Sequence, residues 1–335
     1  MIRVGFFIAS CLVISSARLC AEEIAVRGEI VIIQGDSGTE EFGEQFSAWS
    51  RRWVAAAESG GFRHWVIIPG TDRQPQEPIV KEKLQELAVE NILPLWIVLI
   101  GHGTFDGKSA KFNLVGPDIS SREFAAAMDS ARRPIVFINC SSASAPFIED
   151  LSHPDRILIT STRSGDQVSF SYFGDYLSRA ITDLPADLDK DGQVSLLEAF
   201  LSASRQVQDF YDADGRVATE NALLDDNGDD LGTRASAFKG LRPVAETAKA
   251  GTILDGFRAH QLHLVANDVD RMLSPEIIAQ RNEIEAEIEK LRLRKADIPQ
   301  DQYYEQLEEL FLKLAGLLLP DTLEDSGNIP NPPAE

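Results

Sequence analysis

The chain is 335 residues long, 44% hydrophobic and 25% charged, enough for a sizeable core in one large domain or two smaller ones. Its 53 acidic residues outweigh 32 basic ones, for a net charge of -21. A surface that negative repels nucleic acid and anionic membranes, so neither is expected as a partner.

The first stretch, 1–21, reads as a signal peptide. Arg3 supplies the positive start, Val4 to Ser15 the apolar run, and Ala17 or Ala21 a small residue before Glu22 and Glu23. The expectation is export to a periplasm or the exterior, without stable membrane insertion, because the apolar run is too short to span a bilayer. Five short apolar runs follow that read as buried strands: Glu29–Ile33, His64–Ile68, Leu95–Ile100, Ile135–Ile138 and Arg156–Thr160. Between them lie amphipathic stretches at helical spacing, Glu40–Ser59, Ile79–Asn91 and Ser121–Arg132. Strands alternating with helices predict an α/β domain over 22–182, with a mostly parallel sheet covered on both faces. In such sheets reactive groups sit beyond the carboxyl ends of the strands.

From 183 to 270 the chain turns to acidic loops and short helices, expected to pack on the first domain. Over 271–320, Ser274 and Pro275 start a helix marked by Ile277, Ile284, Ile288 and Leu291. Ile298-Pro299 breaks it, and Tyr304, Leu307, Phe311, Leu314 and Leu318 mark a second helix. The expected helical hairpin packs on the domain or on a partner. The tail 321–335, rich in proline and acid, is expected to be disordered.

Of three cysteines, Cys11 and Cys20 fall in the leader, which leaves Cys140 without a disulfide partner in an exported chain. Cys140 follows the strand Ile135–Ile138, and His102 follows Leu95–Ile100. If these strands are parallel neighbours, thiol and imidazole emerge at one edge of the sheet. There the imidazole can take the thiol proton. Gly103 leaves room for a substrate carbonyl, with its N–H and that of Cys140 as oxyanion donors.

This arrangement resembles the caspase-like cysteine peptidases of clan CD, the legumain family more than the caspases proper. The resemblance covers roughly 28–182. It rests on a strand ending in His102-Gly103, the Phe112-Asn113-Leu114-Val115 segment, the helix from Ser120, and a strand ending at Cys140. The strand Ile157–Thr162 matches where the family lines part of its primary specificity pocket. The resemblance implies a caspase-like sandwich and a Cys140/His102 dyad hydrolysing peptide bonds through an acyl-enzyme, on peptide or protein substrates. Asn139 and Ser141-Ser142-Ala143-Ser144 depart from the usual surroundings of the nucleophile. A catalytically inactive calcium-binding interaction protein and a transamidase are the alternatives. Arg163 or Asp166 could face a charged substrate side chain.

Asp187-Leu188-Asp189-Lys190-Asp191-Gly192-Gln193-Val194-Ser195-Leu196-Leu197-Glu198 has the spacing of an EF-hand calcium loop. Asp187, Asp189, Asp191 and Ser195 place oxygens at the first, third, fifth and ninth positions. Gln193 offers its backbone carbonyl, Glu198 closes the loop bidentately, and Gly192 makes the turn. Bound calcium, structural or activating, is the expected cofactor. Asp212–Gly215 and Asp225–Asp230 are also calcium-suggestive, but neither has a glutamate in the twelfth place. His260 and His263 lack a third ligand for zinc.

Overall fold

The structure is a computed structural model and describes residues 26–244 and 253–319. The expected signal peptide at 1–21 and the tail at 321–335 lie outside the described residues. The chain runs β1 (Gly28–Gln34), α1 (Glu40–Ser59), β2 (Phe62–Ile67), α2 (Glu77–Leu87), β3 (Leu95–Ile100), then three short strands, β4 (Gly103–Phe105), β5 (Ala110–Phe112) and β6 (Ile119–Ser120). It continues with α3 (Ser121–Ala127), β7 (Ile135–Asn139), α4 (Phe147–Leu151), β8 (Arg156–Thr160), α5 (Phe173–Ala180), α6 (Leu196–Ala213), β9 (Leu223–Asp225) and β10 (Thr233–Arg234). The main sheet has the order β10-β9-β8-β7-β3-β1-β2. Its five strands from β2 to β8 are parallel, and β9 and β10 close one edge antiparallel.

Both faces are covered, so β1, β3 and β7 bury every residue and carry no polar alternation. One face places Ile30, Trp96, Val98, Ile100 and Ile138 against Phe46, Trp49 and Trp53 of α1, Phe173 of α5 and Phe200 of α6. The other places Val31, Ile97, Leu99 and Phe137 against Val80 and Leu84 of α2, Phe124 of α3 and Phe147 of α4. This is an α/β sandwich with a mostly parallel sheet. The segment 183–270 belongs to it directly: α6 packs along α5, and β9 and β10 extend the sheet.

Two helices stop short of their expected ends. Periodicity carries one to Asn91 and another to Arg132, yet α2 stops at Leu87 and α3 at Ala127. The two segments leave the helices to pair, Glu90 with Arg132. The next residue, Arg133, is buried, with Nη1 2.7 Å from Glu29 Oε2 and 3.2 Å from the Leu87 carbonyl, while Nε donates to the Leu93 carbonyl at 2.9 Å. A buried guanidinium needs those partners, and helical continuation would withdraw them.

Beyond the sheet, α7 (Phe257–His260) and α8 (Asp268–Met272) lead into the hairpin of α9 (Pro275–Leu293) and α10 (Gln300–Leu318). Ser274 caps α9, with Pro275 at its first position. Arg281 of α9 grips both oxygens of Asp270 at 2.9 Å, tying the hairpin to the domain. α10 packs on α9 and buries only Tyr303. No described helix is long and apolar enough to cross a membrane.

Candidate active site and calcium loop

The ladder between β3 and β7 pairs Leu99 with Asn139. Cys140 follows directly, and its N–H donates to the Leu99 carbonyl at 3.0 Å. Strand alternation puts Ile100 and Cys140 on the same sheet face, both in the layer built by α1, α5 and α6. His102, two residues past Ile100, returns to that face, with its ring 5.0 Å from Phe42, 5.3 Å from Phe46 and 6.0 Å from Phe170. Trp49 belongs to the same aromatic group, 5.5 Å from Phe46 and 6.0 Å from Phe170. Cys140 lies against Trp49 and Gly174, where a methyl group on Gly174 would come within 2.7 Å of both. Two adjacent strands thus deliver thiol and imidazole to one aromatic-lined edge.

The imidazole is held by its Nε2, 3.2 Å from the carbonyl oxygen of Ser37. A carbonyl only accepts, so Nε2 carries a proton, and in the neutral ring Nδ1 is the basic nitrogen. Cys140 is only 1% exposed. Burial, with the Glu220 charge adding to it, pushes the thiol from 9.0 up to about 12. The resting group is a neutral thiol, and among the described residues no hydrogen bond joins it to His102.

The oxyanion donors are a correction. The Cys140 N–H is committed to the Leu99 carbonyl by continuation of the ladder, which removes it from that role. The Gly103 N–H donates to Ser142 Oγ at 3.3 Å, and that hydroxyl donates to the Gly103 carbonyl at 3.0 Å. The Gly103 N–H could meet a substrate oxygen only by giving up its bond to Ser142 Oγ. Side chains are excluded there, since a Cβ on Gly103 would stand 2.2 Å from the Ser142 carbonyl.

The residues after Cys140 form a buried hydroxyl network. Asn139 Oδ1 accepts from Ser141 N–H at 3.0 Å and from Ser141 Oγ at 2.6 Å, and Ser161 Oγ donates to the Ser141 carbonyl at 2.5 Å. Ala143 takes φ 53°, a left-handed conformation that favours glycine. Its N–H donates to the Gln167 carbonyl at 2.8 Å, linking this turn to the segment after β8. Arg163 and Asp166 lie exposed on that segment.

The sequence also predicts a helix over Phe170–Ile181 ahead of the acidic loop, and here the structure differs: α5 begins only at Phe173. The cause is Glu220, which sequence reading missed. It is 2% exposed and accepts from the Tyr172 and Phe173 N–H groups at 2.9 and 3.0 Å, from Ser171 Oγ, and from the Tyr211 hydroxyl at 3.4 Å. Burial raises its pKa. Nothing local in the sequence marks it, because three of its four partners lie nearly fifty positions away.

Asp187, Asp189 and Asp191 each bring an oxygen within 4.8 Å of the others. Asp187 Oδ1 accepts from Lys190 N–H at 2.6 Å, Asp189 Oδ1 from Asp191 N–H at 3.3 Å, and Asp191 Oδ1 from Gln193 N–H at 3.0 Å. Glu198 Oε1 accepts from Leu188 N–H at 2.7 Å and Oε2 from Ser195 N–H at 2.8 Å, while Glu198 N–H donates to Ser195 Oγ at 3.3 Å to complete the capping box of α6. Three carboxylates converge, the hard-oxygen donors that calcium takes, while Glu198 has both oxygens held by N–H and hydroxyl donors and stands outside the group. His260 Nε2 lies 3.0 Å from Asp189 Oδ2, while His263 pairs with Ser195 in a β-bridge, so the two histidines do not converge.

The loop from Asp225 repeats this pattern. Asp225 Oδ1 accepts from Gly228 N–H at 3.0 Å, Asn227 Oδ1 from Asp229 N–H at 2.9 Å, and Asp229 Oδ1 from Leu231 N–H at 2.9 Å. Asp255 stands where Glu198 stands in the first loop. It accepts from Asp226 N–H at 3.0 Å and from Thr233 Oγ1 at 2.6 Å, the second and ninth positions. The carboxylate that bridges the second and ninth positions therefore comes from a distant residue, which no spacing rule finds. Burial raises the pKa of Asp225 and of Asp255.

No protein-family model matches the chain, and no curated protein matches it in sequence. Among solved structures it is similar to caspase-1 from Spodoptera frugiperda at 13% identity, over 60% of this chain and 86% of that one, with a TM-score of 0.42. It is similar to the Drosophila initiator caspase Dronc at 13% identity, over 59% of this chain and 79% of that one, with a TM-score of 0.36.

Proposed function

We propose that the chain is an exported, caspase-like cysteine endopeptidase, closest in type to the legumain family, that works through Cys140 and His102 with calcium bound at 187–198. The observation that carries the reading is the delivery of thiol and imidazole to one face and one edge by neighbouring parallel strands. His102 Nδ1 takes the thiol proton as sulfur bonds to the substrate carbonyl carbon, and the Gly103 N–H meets the developing oxyanion. The imidazolium returns that proton to the leaving amine, which gives an acyl-enzyme that water then hydrolyses. Asp187, Asp189, Asp191, Ser195, Glu198 and the Gln193 carbonyl would hold calcium, whose positive charge stabilises the loop at the head of α6.

A panel of fluorogenic peptides varied at the residue before the scissile bond tests the reading. Calcium-dependent turnover that disappears in Cys140→Ala and His102→Ala supports it. No turnover on any peptide, with the calcium-loaded protein folded, defeats it. The burial of the thiol favours a second reading, a catalytically inactive calcium-binding interaction protein that meets partners through α9 and α10. Transamidation shares the acyl-enzyme and would show as amine incorporation in place of hydrolysis.

A further inference from the structure

The segment from Phe170 to Gly174 is what encloses the dyad. Phe170 stacks on Phe42 at 4.6 Å and packs against Trp49 and His102, while Gly174, in the first turn of α5, abuts Cys140. Between these two contacts lie Ser171, Tyr172 and Phe173, the three residues whose hydroxyl or N–H groups the Glu220 carboxylate accepts. Tyr172 caps α5 without a side-chain hydrogen bond of its own, so Glu220 supplies the missing acceptor. Glu220 is itself held by the Tyr211 hydroxyl from α6. Phe173 and Glu220 also line a cavity of about 660 Å³ with Pro185, Leu201, Ala222 and Phe238, which neither Cys140 nor His102 lines. The segment is therefore a partition with the reactive pair on one side and open volume on the other.

We propose that Glu220 is the positioning residue of the site: by pinning residues 171–173 it holds Phe170 on His102 and Gly174 on Cys140, and so sets access to the thiol. The proposal rests on the assignment of the dyad, and its test does not require peptide hydrolysis. A buried carboxylate with four donors and, among the described residues, no cation paired to it is costly unless all four stay in place, so losing it releases the segment as a unit.

The test is the rate of Cys140 alkylation by iodoacetamide in the full chain, read by peptide mass. Glu220→Ala is expected to label about tenfold faster than wild type, through local opening. Glu220→Gln keeps one acceptor oxygen and falls between the two. Leu84→Ala on the opposite face, at equal loss of melting temperature, leaves the rate unchanged. Phe170→Ala, which keeps the carboxylate bonds, reproduces the rise should Glu220→Ala fail to fold. Wild-type labelling in both Glu220→Ala and Phe170→Ala overturns the proposal, as does an equal rise in Leu84→Ala. A gated thiol that cleaves no peptide would end the peptidase reading and leave this one standing, and peptide cleavage by an ungated thiol would do the reverse.

Discussion

The Cys140 edge and the 187–198 loop are opposites in exposure. The thiol is enclosed by Trp49, Gly174 and the aromatic group around His102, whereas Asp189 and Asp191 stand exposed on the surface. Burial favours the neutral thiol, whereas the carboxylates of the proposed calcium site stand open to water. The difference teaches that the reactive group is stored neutral, and that reaching it requires motion of the wall rather than a change of charge. The loop proposed to hold calcium would need no such motion to meet an ion.

The largest effect that can break this contrast is loss of the nucleophile. Cys140→Ala should lower peptide turnover by about a thousandfold or more, measured as kcat/KM on the best peptide of a panel. A smaller drop would place the chemistry on another residue. At the loop, replacing calcium by chelator should lower the melting temperature by about 5–10 °C, from roughly 2.7 kcal/mol of binding at a hundredfold excess over Kd. Asp187→Asn should abolish that difference, and equal melting with and without calcium would remove the ion from the account.

The third effect sharpens the storage of the thiol. A thiol raised from 9.0 to about 12 keeps its proton in the fold and loses it on unfolding. Its contribution to stability is complete below pH 9 and is lost as pH rises toward 12. Cys140→Ser should therefore flatten the fall in stability over that window, followed by denaturant midpoints. Identical slopes would show a thiol that is not buried in solution. The smallest effect is at Ala143, where glycine relieves the left-handed backbone at the cost of unfolded-state entropy. Ala143→Gly should stabilise by about 0.5–1 kcal/mol, seen as a rise of roughly 2 °C in melting temperature. A lower melting temperature would contradict the strain.

Much of the frame was legible because it is written in local patterns. The continuous apolar runs at β1, β3, β7 and β8 announced strands buried on both faces, and Ser274-Pro275 announced the start of α9. The convergence of Asp187, Asp189 and Asp191 was legible for the same reason, since they lie within five consecutive residues. What stayed hidden depends on pairs far apart in sequence. Arg133 reaching back to Glu29 shortens α3, Glu220 moves the start of α5 to Phe173, and Asp255 completes the second acidic loop. The Cys140 N–H was offered as an oxyanion donor because the ladder that consumes it is set by strand order, which no single segment records.

The most direct test of the central claim is covalent capture. A peptidyl acyloxymethyl ketone presented to the calcium-loaded full chain should form a thioether at Cys140, mapped by peptide mass, and capture should vanish in Cys140→Ala and fall steeply in His102→Ala. Failure to form the adduct, or equal capture with His102 replaced, would contradict the dyad.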